Sequence, residues 1–193
     1  MKIEKISNIS YKARLVNREF VGKLAENSSH IYEKQKVSFV KIEPSNPDDI
    51  KALKEASDYW QNWQNGNLVT NIYYAACALG NESKYYKDHE VYALTSQALD
   101  YRELQSEKIL GLIHTSPYIE NSLLIEQLQA NPQYLNERVP EYKGIGTAIL
   151  NSLKFIADKI SCYPSRTESV IGFYRKNGFE KQQNGLNLYI WNK

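Results

Sequence analysis

Residues 122–130 (SLLIEQLQA) form an apolar, strand-like run, and residues 145–160 carry the clearest helical periodicity in the chain. Ile145, Ala148, Ile149, Ser152, Leu153, Ile156 and Ile160 share one helical face. Gly144-Ile145-Gly146 stands at the start of that helix, and residues 159–163 are a short strand candidate after it. Strand, crossover helix and strand predict a parallel pair inside a sheet that helices cover. Ahead of this unit, residues 90–97 (EVYALTSQ), 108–115 (KILGLIHT) and 122–130 are joined by short polar connections, which predicts an antiparallel meander. Together they predict an α/β fold, a central twisted mixed sheet of about seven strands with helices on both faces.

The other elements fit around this core. Residues 37–43 (VSFVKIE) read as a strand. Ser45-Asn46-Pro47-Asp48-Asp49 supplies a capping residue, an early proline and first-turn acids, so a helix starts there and continues through Ile50, Leu53, Ala56, Trp60 and Trp63. Leu68, Ile72, Tyr73, Ala76 and Leu79 define a second helix that Gly80-Asn81 ends. Ser165-Arg166-Thr167-Glu168 matches a capping box for a helix through Lys176, closed by Asn177-Gly178. Asn184-Gly185, between strand-like residues 179–182 and 186–191, is a hairpin signal. Residues 1–36 are polar, and the spacing of Leu15, Val16, Phe20, Val21 and Leu24 predicts a helix in part of 11–24. The domain reading is an N-terminal extension over residues 1–36 packed on one domain over residues 37–193.

Composition removes several function classes. The 24 Lys plus Arg nearly balance the 22 Asp plus Glu, so no nucleic-acid partner is expected. No run of about 18 apolar residues exists, so no membrane partner is expected either. The first residues lack the apolar stretch of a secretory leader. Cys77 and Cys162 stand far apart, which excludes a disulfide framework and points to a reducing cytoplasm. His30, His89 and His114 are isolated, and no pair has metal-ligand spacing, so no metal is expected. The sequence leaves monomer and homodimer equally open.

Glycines ahead of a helix let backbone amides approach a bound group closely, and the free N–H donors of the first turn favour an anion. Gly144-x-Gly146 alone also suits an ordinary tight turn. Neither a P-loop nor a full GxGxxG fingerprint is present, since residue 149 is Ile.

Two segments carry a resemblance. Glu141-Tyr142-Lys143-Gly144-Ile145-Gly146 is similar to the acyl-CoA-binding pattern Q/R-x-x-G-x-G/A, and Phe173-Tyr174-Arg175-Lys176-Asn177-Gly178-Phe179 to an FYxKxGF signature. With both, in this order, the chain resembles the GNAT superfamily of acyl-CoA N-acyltransferases, over residues 122–191 most closely and over 37–121 by element order. The resemblance implies an acetyl-CoA-dependent N-acetyltransferase. It would pass the acetyl group to a primary amine of a small molecule or of a protein or peptide, by direct attack in a ternary complex. The pantetheine arm would pair with backbone of Leu128, Gln129 and Ala130 like an added strand. The pyrophosphate would rest on amides of Lys143, Gly144, Ile145, Gly146 and Thr147. Tyr174 would protonate the leaving thiolate, a packed helix tyrosine being the alternative. An N–H near Leu128 or Ala130 would stabilise the oxyanion.

For the general base, strand alternation puts residues 124, 126, 128 and 130 on one face, so Glu126 is the choice. Desolvation there would raise its pKa; an exposed or salt-bridged Glu is the alternative. Glu120, Glu90 and His114 are rivals. The chain departs from the family pattern at Glu141, where Gln or Arg is usual, at Tyr142, where glycine is common, and in an insertion over residues 133–140. Glu141 would weaken binding of an anionic cofactor unless it points outward or pairs with Arg138. This acid and the N-terminal segment motivate a second reading, a non-catalytic acyl-CoA-binding or interaction protein. Acceptor contacts would come from Tyr59, Trp60, Trp63, Tyr73 and Tyr74, for which core packing is the alternative.

Overall fold

In the computed structural model, which describes residues 14–63, 67–81, 83–97, 103–119, 122–135, 137–183 and 186–193, the chain opens with a long hairpin. β1 (Arg14–Leu24) pairs antiparallel with β2 (Tyr32–Lys41) from Leu24↔Tyr32 to Arg14↔Lys41. The helix expected within residues 11–24 is therefore a strand over its described part. A register shift between Leu15 and Asn17 breaks the period-two alternation, and the disturbed spacing imitates a helical face. The expected boundary at residue 37 falls inside β2.

α1 (Pro47–Trp60) starts as the sequence predicts: the Asp48 N–H donates to the Asn46 side chain, and Pro47 needs no partner in the first turn. α2 (Asn67–Gly80) follows. β3 (Glu90–Thr95), β4 (Ile109–Pro117) and β5 (Leu123–Ala130) form the antiparallel meander. Then come the two-residue β6 (Tyr142–Lys143), α3 (Ile145–Ile156), β7 (Lys159–Cys162), α4 (Glu168–Lys176), β8 (Glu180–Lys181) and β9 (Tyr189–Asn192). The sheet runs β6-β1-β2-β3-β4-β5-β7-β9-β8. Among the described residues it has nine strands rather than about seven, the two extra being β1 and β6. β5 and β7 are parallel, and α3 crosses between them.

The capping box at Ser165 does not form. α4 begins at Glu168 with Thr167 in the cap position, and the Ser165 and Thr167 hydroxyls lie 3.1 Å apart. Its C-terminus closes as expected: the Asn177 side-chain amide donates to the Phe173 carbonyl at 2.8 Å, and Gly178 takes φ +82°. Asn184 and Gly185 lie outside the described residues.

Apolar side chains fill both sheet faces. Phe39, Leu94, Ile113 and Ile160 of the sheet share one cluster with Ile149 of α3, while Val40, Ala93 and Leu112 share another with Leu53 and Trp60 of α1 and Ile72 of α2. Among the described residues no helix is long and apolar enough to cross a membrane.

Candidate active site

The parallel pairing of β5 with β7 covers Leu123↔Ile160, Leu124↔Ser161 and Ile125↔Cys162, and stops there. β7 ends at Cys162, and beyond Ile125 β5 continues along β4 alone. The Asn131 N–H donates to the Leu110 carbonyl at 2.8 Å, which fixes the alternation along β5. Gln129, paired with Leu112, therefore turns its backbone groups toward β4. Leu128 and Ala130 turn theirs away from β4, past the end of β7. Of the three expected pantetheine contacts, two face that side.

The end of β5, at Ala130, shares a cavity with the glycine turn. Gly144 has φ +82°, which an L side chain adopts only under strain, and it immediately precedes α3. The first intrahelical bond runs from the Ala148 N–H to the Gly144 carbonyl at 2.9 Å. The amides of Ile145, Gly146 and Thr147 thus have no acceptor within the helix and point off its positive end. A cavity of about 260 Å³ opens there, lined by Ala130 and by all five expected loop residues, Lys143, Gly144, Ile145, Gly146 and Thr147. Phe173 of α4 walls it closely: a Cβ on Gly146 would lie 2.9 Å from Phe173 Cζ and 3.9 Å from Leu128 Cδ2. Converging amides, a backbone that only small residues fit and an apolar wall suit a diphosphate with an attached arm.

The departures from the family pattern find local partners. Glu141 lies 3.9 Å from Lys23, rather than beside Arg138, and its carbonyl accepts from the Leu24 N–H at 2.8 Å. Lys143 Nζ sits 4.0 Å from the centroid of the Tyr32 ring, whose hydroxyl donates to the Pro140 carbonyl at 2.7 Å. Tyr142 is buried and meets Tyr134 edge-on at 5.0 Å. The inserted loop therefore builds one side of the cavity, through Tyr134, Leu135 and Pro140.

Tyr174 is buried between Phe173 and Phe179, with ring centroids 5.2 and 5.3 Å away. It neighbours Cys162, the last β7 residue paired with β5. Burial, helped by Cys162, pushes the phenol above its ordinary pKa, so it stays a neutral O–H donor. Burial also pushes the Cys162 thiol up to about 12, which leaves it uncharged and unsuited to nucleophilic work. Lys154 Nζ donates to the Asn177 carbonyl at 2.6 Å and lies 5.2 Å from the Trp191 ring centroid. That contact ties the end of α4 to α3.

At the β4–β5 step His114↔Gln127 is followed by Thr115↔Ile125, so Glu126 is the extra residue of a bulge. The regular face expected for residues 124, 126, 128 and 130 is broken there. Glu126 is exposed rather than desolvated, and the Ser116 hydroxyl donates to it at 2.6 Å. Glu90 is committed elsewhere: it accepts from Lys41 Nζ at 2.6 Å and from the Tyr92 hydroxyl. Glu120 lies outside the described residues. His114 is buried, and its Nε2 is 2.9 Å from His89 Nδ1. Burial, then the charge of His89, lowers its pKa to about 4, with Glu126 opposing. Sequence reasoning missed Ser116, His89 and Gln127, whose Oε1 is buried without a hydrogen-bond partner among the described residues. Polar residues in otherwise apolar strands were the available signal for Ser116 and Gln127; nothing local marked His89.

The expected acceptor aromatics are not gathered at this bulge. Trp60 is in the core, Tyr59 lines a separate cavity of about 270 Å³ beside Gln133, and Tyr74 is exposed.

No protein-family model matches the chain, and no curated protein matches it. Among solved structures it is similar to an acetyltransferase of the GNAT family from Staphylococcus aureus Mu50, at 15% identity over 81% of this chain and 98% of that one, with a TM-score of 0.46. It is similar to an acetyltransferase from Streptococcus agalactiae 2603, at 15% identity over 81% and 98%, with a TM-score of 0.49. It is also similar to the N-acetyltransferase PseH of Campylobacter jejuni, solved with acetyl coenzyme A, at 13% identity over 80% and 95%, with a TM-score of 0.46.

Proposed function

We propose that the chain is an acyl-CoA-dependent N-acyltransferase of the GNAT type, which moves acetyl from acetyl-CoA to a primary amine in a ternary complex. The observation that carries this reading is that β5 runs on past Ile125↔Cys162, its last pair with β7, and ends at Ala130, which lines the amide-rich cavity before α3. Diphosphate is held by the amides of Gly144, Ile145, Gly146 and Thr147, with Lys143 at the rim. The arm pairs with Leu128 and Ala130, which brings the thioester to the bulge at Glu126.

An alkyl ammonium has an ordinary pKa near ~10.4, so a proton must leave before the nitrogen can attack. Glu126 takes it, directly or through water. The amine nitrogen then bonds to the carbonyl carbon, and the Leu128 or Ala130 N–H stabilises the oxyanion. Collapse breaks the C–S bond, Tyr174 protonates the sulfur, and the second nitrogen proton restores the phenol.

Thiol release from acetyl-CoA against amino acids, polyamines, aminoglycosides and peptides tests this, with calorimetry of CoA beside it. Release with one amine class is the expected result. Tight CoA binding without release from any amine gives the non-catalytic reading instead, and absence of CoA binding overturns both.

A further inference from the structure

We propose that His114 and His89 form a proton relay that carries the acceptor's proton from the β5 bulge to solvent. The inference rests on the acetyltransferase reading, and it begins with a buried polar group that packing does not require. His114 is 5% exposed on a sheet face otherwise built from Val91, Ala93, Ile109 and Leu112. An imidazole in such a place needs a partner. Among the described residues its partner is a second imidazole, with Nε2 of His114 2.9 Å from Nδ1 of His89. That bond requires one ring nitrogen to donate and the other to accept, which two imidazoliums cannot do.

The two ends of the pair face different surroundings. His114 lies opposite Gln127, next to the bulge at Glu126. His89 is half-buried and packs edge-on to Tyr86, with ring centroids 5.2 Å apart. The titratable groups that face His114 are His89 and Tyr86 from the segment before β3, and Glu126 from β5. Burial keeps His114 neutral near pH 7, the state in which a ring can take a proton on one nitrogen and release another.

Acetyl transfer from a thioester to an ammonium yields amide, thiol and one free proton. That proton passes from the ammonium, through Glu126 or a water beside it, to His114 Nδ1. The Nε2 proton of His114 moves to His89 Nδ1, and the Nε2 proton of His89 leaves to water. Exchange with water restores the starting tautomers.

The test uses the full chain and the amine that supports thiol release. His89→Ala should lower kcat by about 100-fold, leave KM for acetyl-CoA unchanged, and recover activity with added imidazole. A structural role for His89 would not answer to imidazole. Because His114→Gln would disturb a buried site, His114 is followed in the wild-type protein by long-range ¹H–¹⁵N spectra. These should show a neutral His114 ring at pH 7, titrating at about 4. Wild-type kcat in His89→Ala, a loss that imidazole does not restore, or a charged His114 at pH 7 each overturns the relay alone. A wild-type protein that releases no thiol with any amine overturns the acetyltransferase reading, and the relay falls with it.

Discussion

Phe173 stands where a side chain on Gly146 would have to go: its Cζ lies 2.9 Å from the position of a Cβ there. Alanine at 146 would favour the helix by roughly 1 kcal/mol, yet it must push the ring into the cavity before α3. Gly146→Ala is expected to raise the Kd for CoA roughly tenfold, about 1.4 kcal/mol, while Tm stays nearly unchanged. Calorimetry and a thermal melt on the same sample check the split.

Tyr174→Phe keeps the aromatic packing between Phe173 and Phe179 and removes only the hydroxyl. A fall in kcat of about 100-fold, with KM for acetyl-CoA little changed, is the expected result. Full activity in steady-state thiol release would show that the sulfur gets its proton elsewhere.

Much of the framework could be read from the chain alone, because the apolar runs of the meander, the short polar connections between them and the period of α3 are local properties of the sequence. The failures share a cause. In β1 a register shift near Val16 leaves Leu15, Val16, Phe20, Val21 and Leu24 at helix-like intervals. In β5 a bulge displaces Glu126 from the face that strict alternation assigns it. A bulge is a property of two strands, so one strand's sequence does not reveal it. The same holds for Glu141, whose partner Lys23 is remote in sequence and arrives only through the β1–β6 pairing. The glycine turn was legible because its requirement is local, a positive φ followed directly by a helix.

Lys154 caps the carbonyl of Asn177 from α3 while lying over Trp191. Lys154→Met keeps the aliphatic stem and loses the charged hydrogen bond. The expected cost is about 1–2 kcal/mol in urea unfolding, together with a lower kcat, because α4 carries Tyr174. Unchanged stability would mean that solvent replaces the cap.

Asp49 is buried, accepts from the Glu43 N–H at 2.9 Å and from the Asn46 side chain at 3.0 Å, and burial raises its pKa from 3.8 to about 6. Between those values the folded chain holds a proton that the unfolded chain has lost. Stability from this group is therefore full below about pH 4 and declines as pH rises through about 6, by roughly 3 kcal/mol in all. His114, with a lowered pKa, acts in the opposite sense over an overlapping window. The difference between wild type and Asp49→Asn isolates the aspartate: it should shift against wild type by about that amount between pH 3.5 and 7.5. A pH-independent difference would place the carboxylate's charge in water.

α3 begins directly after the Gly144 turn and grips the end of α4 through Lys154, roughly 14 Å further along at 1.5 Å per residue. On the proposed reading, both anchoring points of a donor would be referenced to this single stiff rod. A short thioester without the diphosphate would then meet only one of them, and selectivity for full-length donors would be a measurement of length, made by the span of one helix.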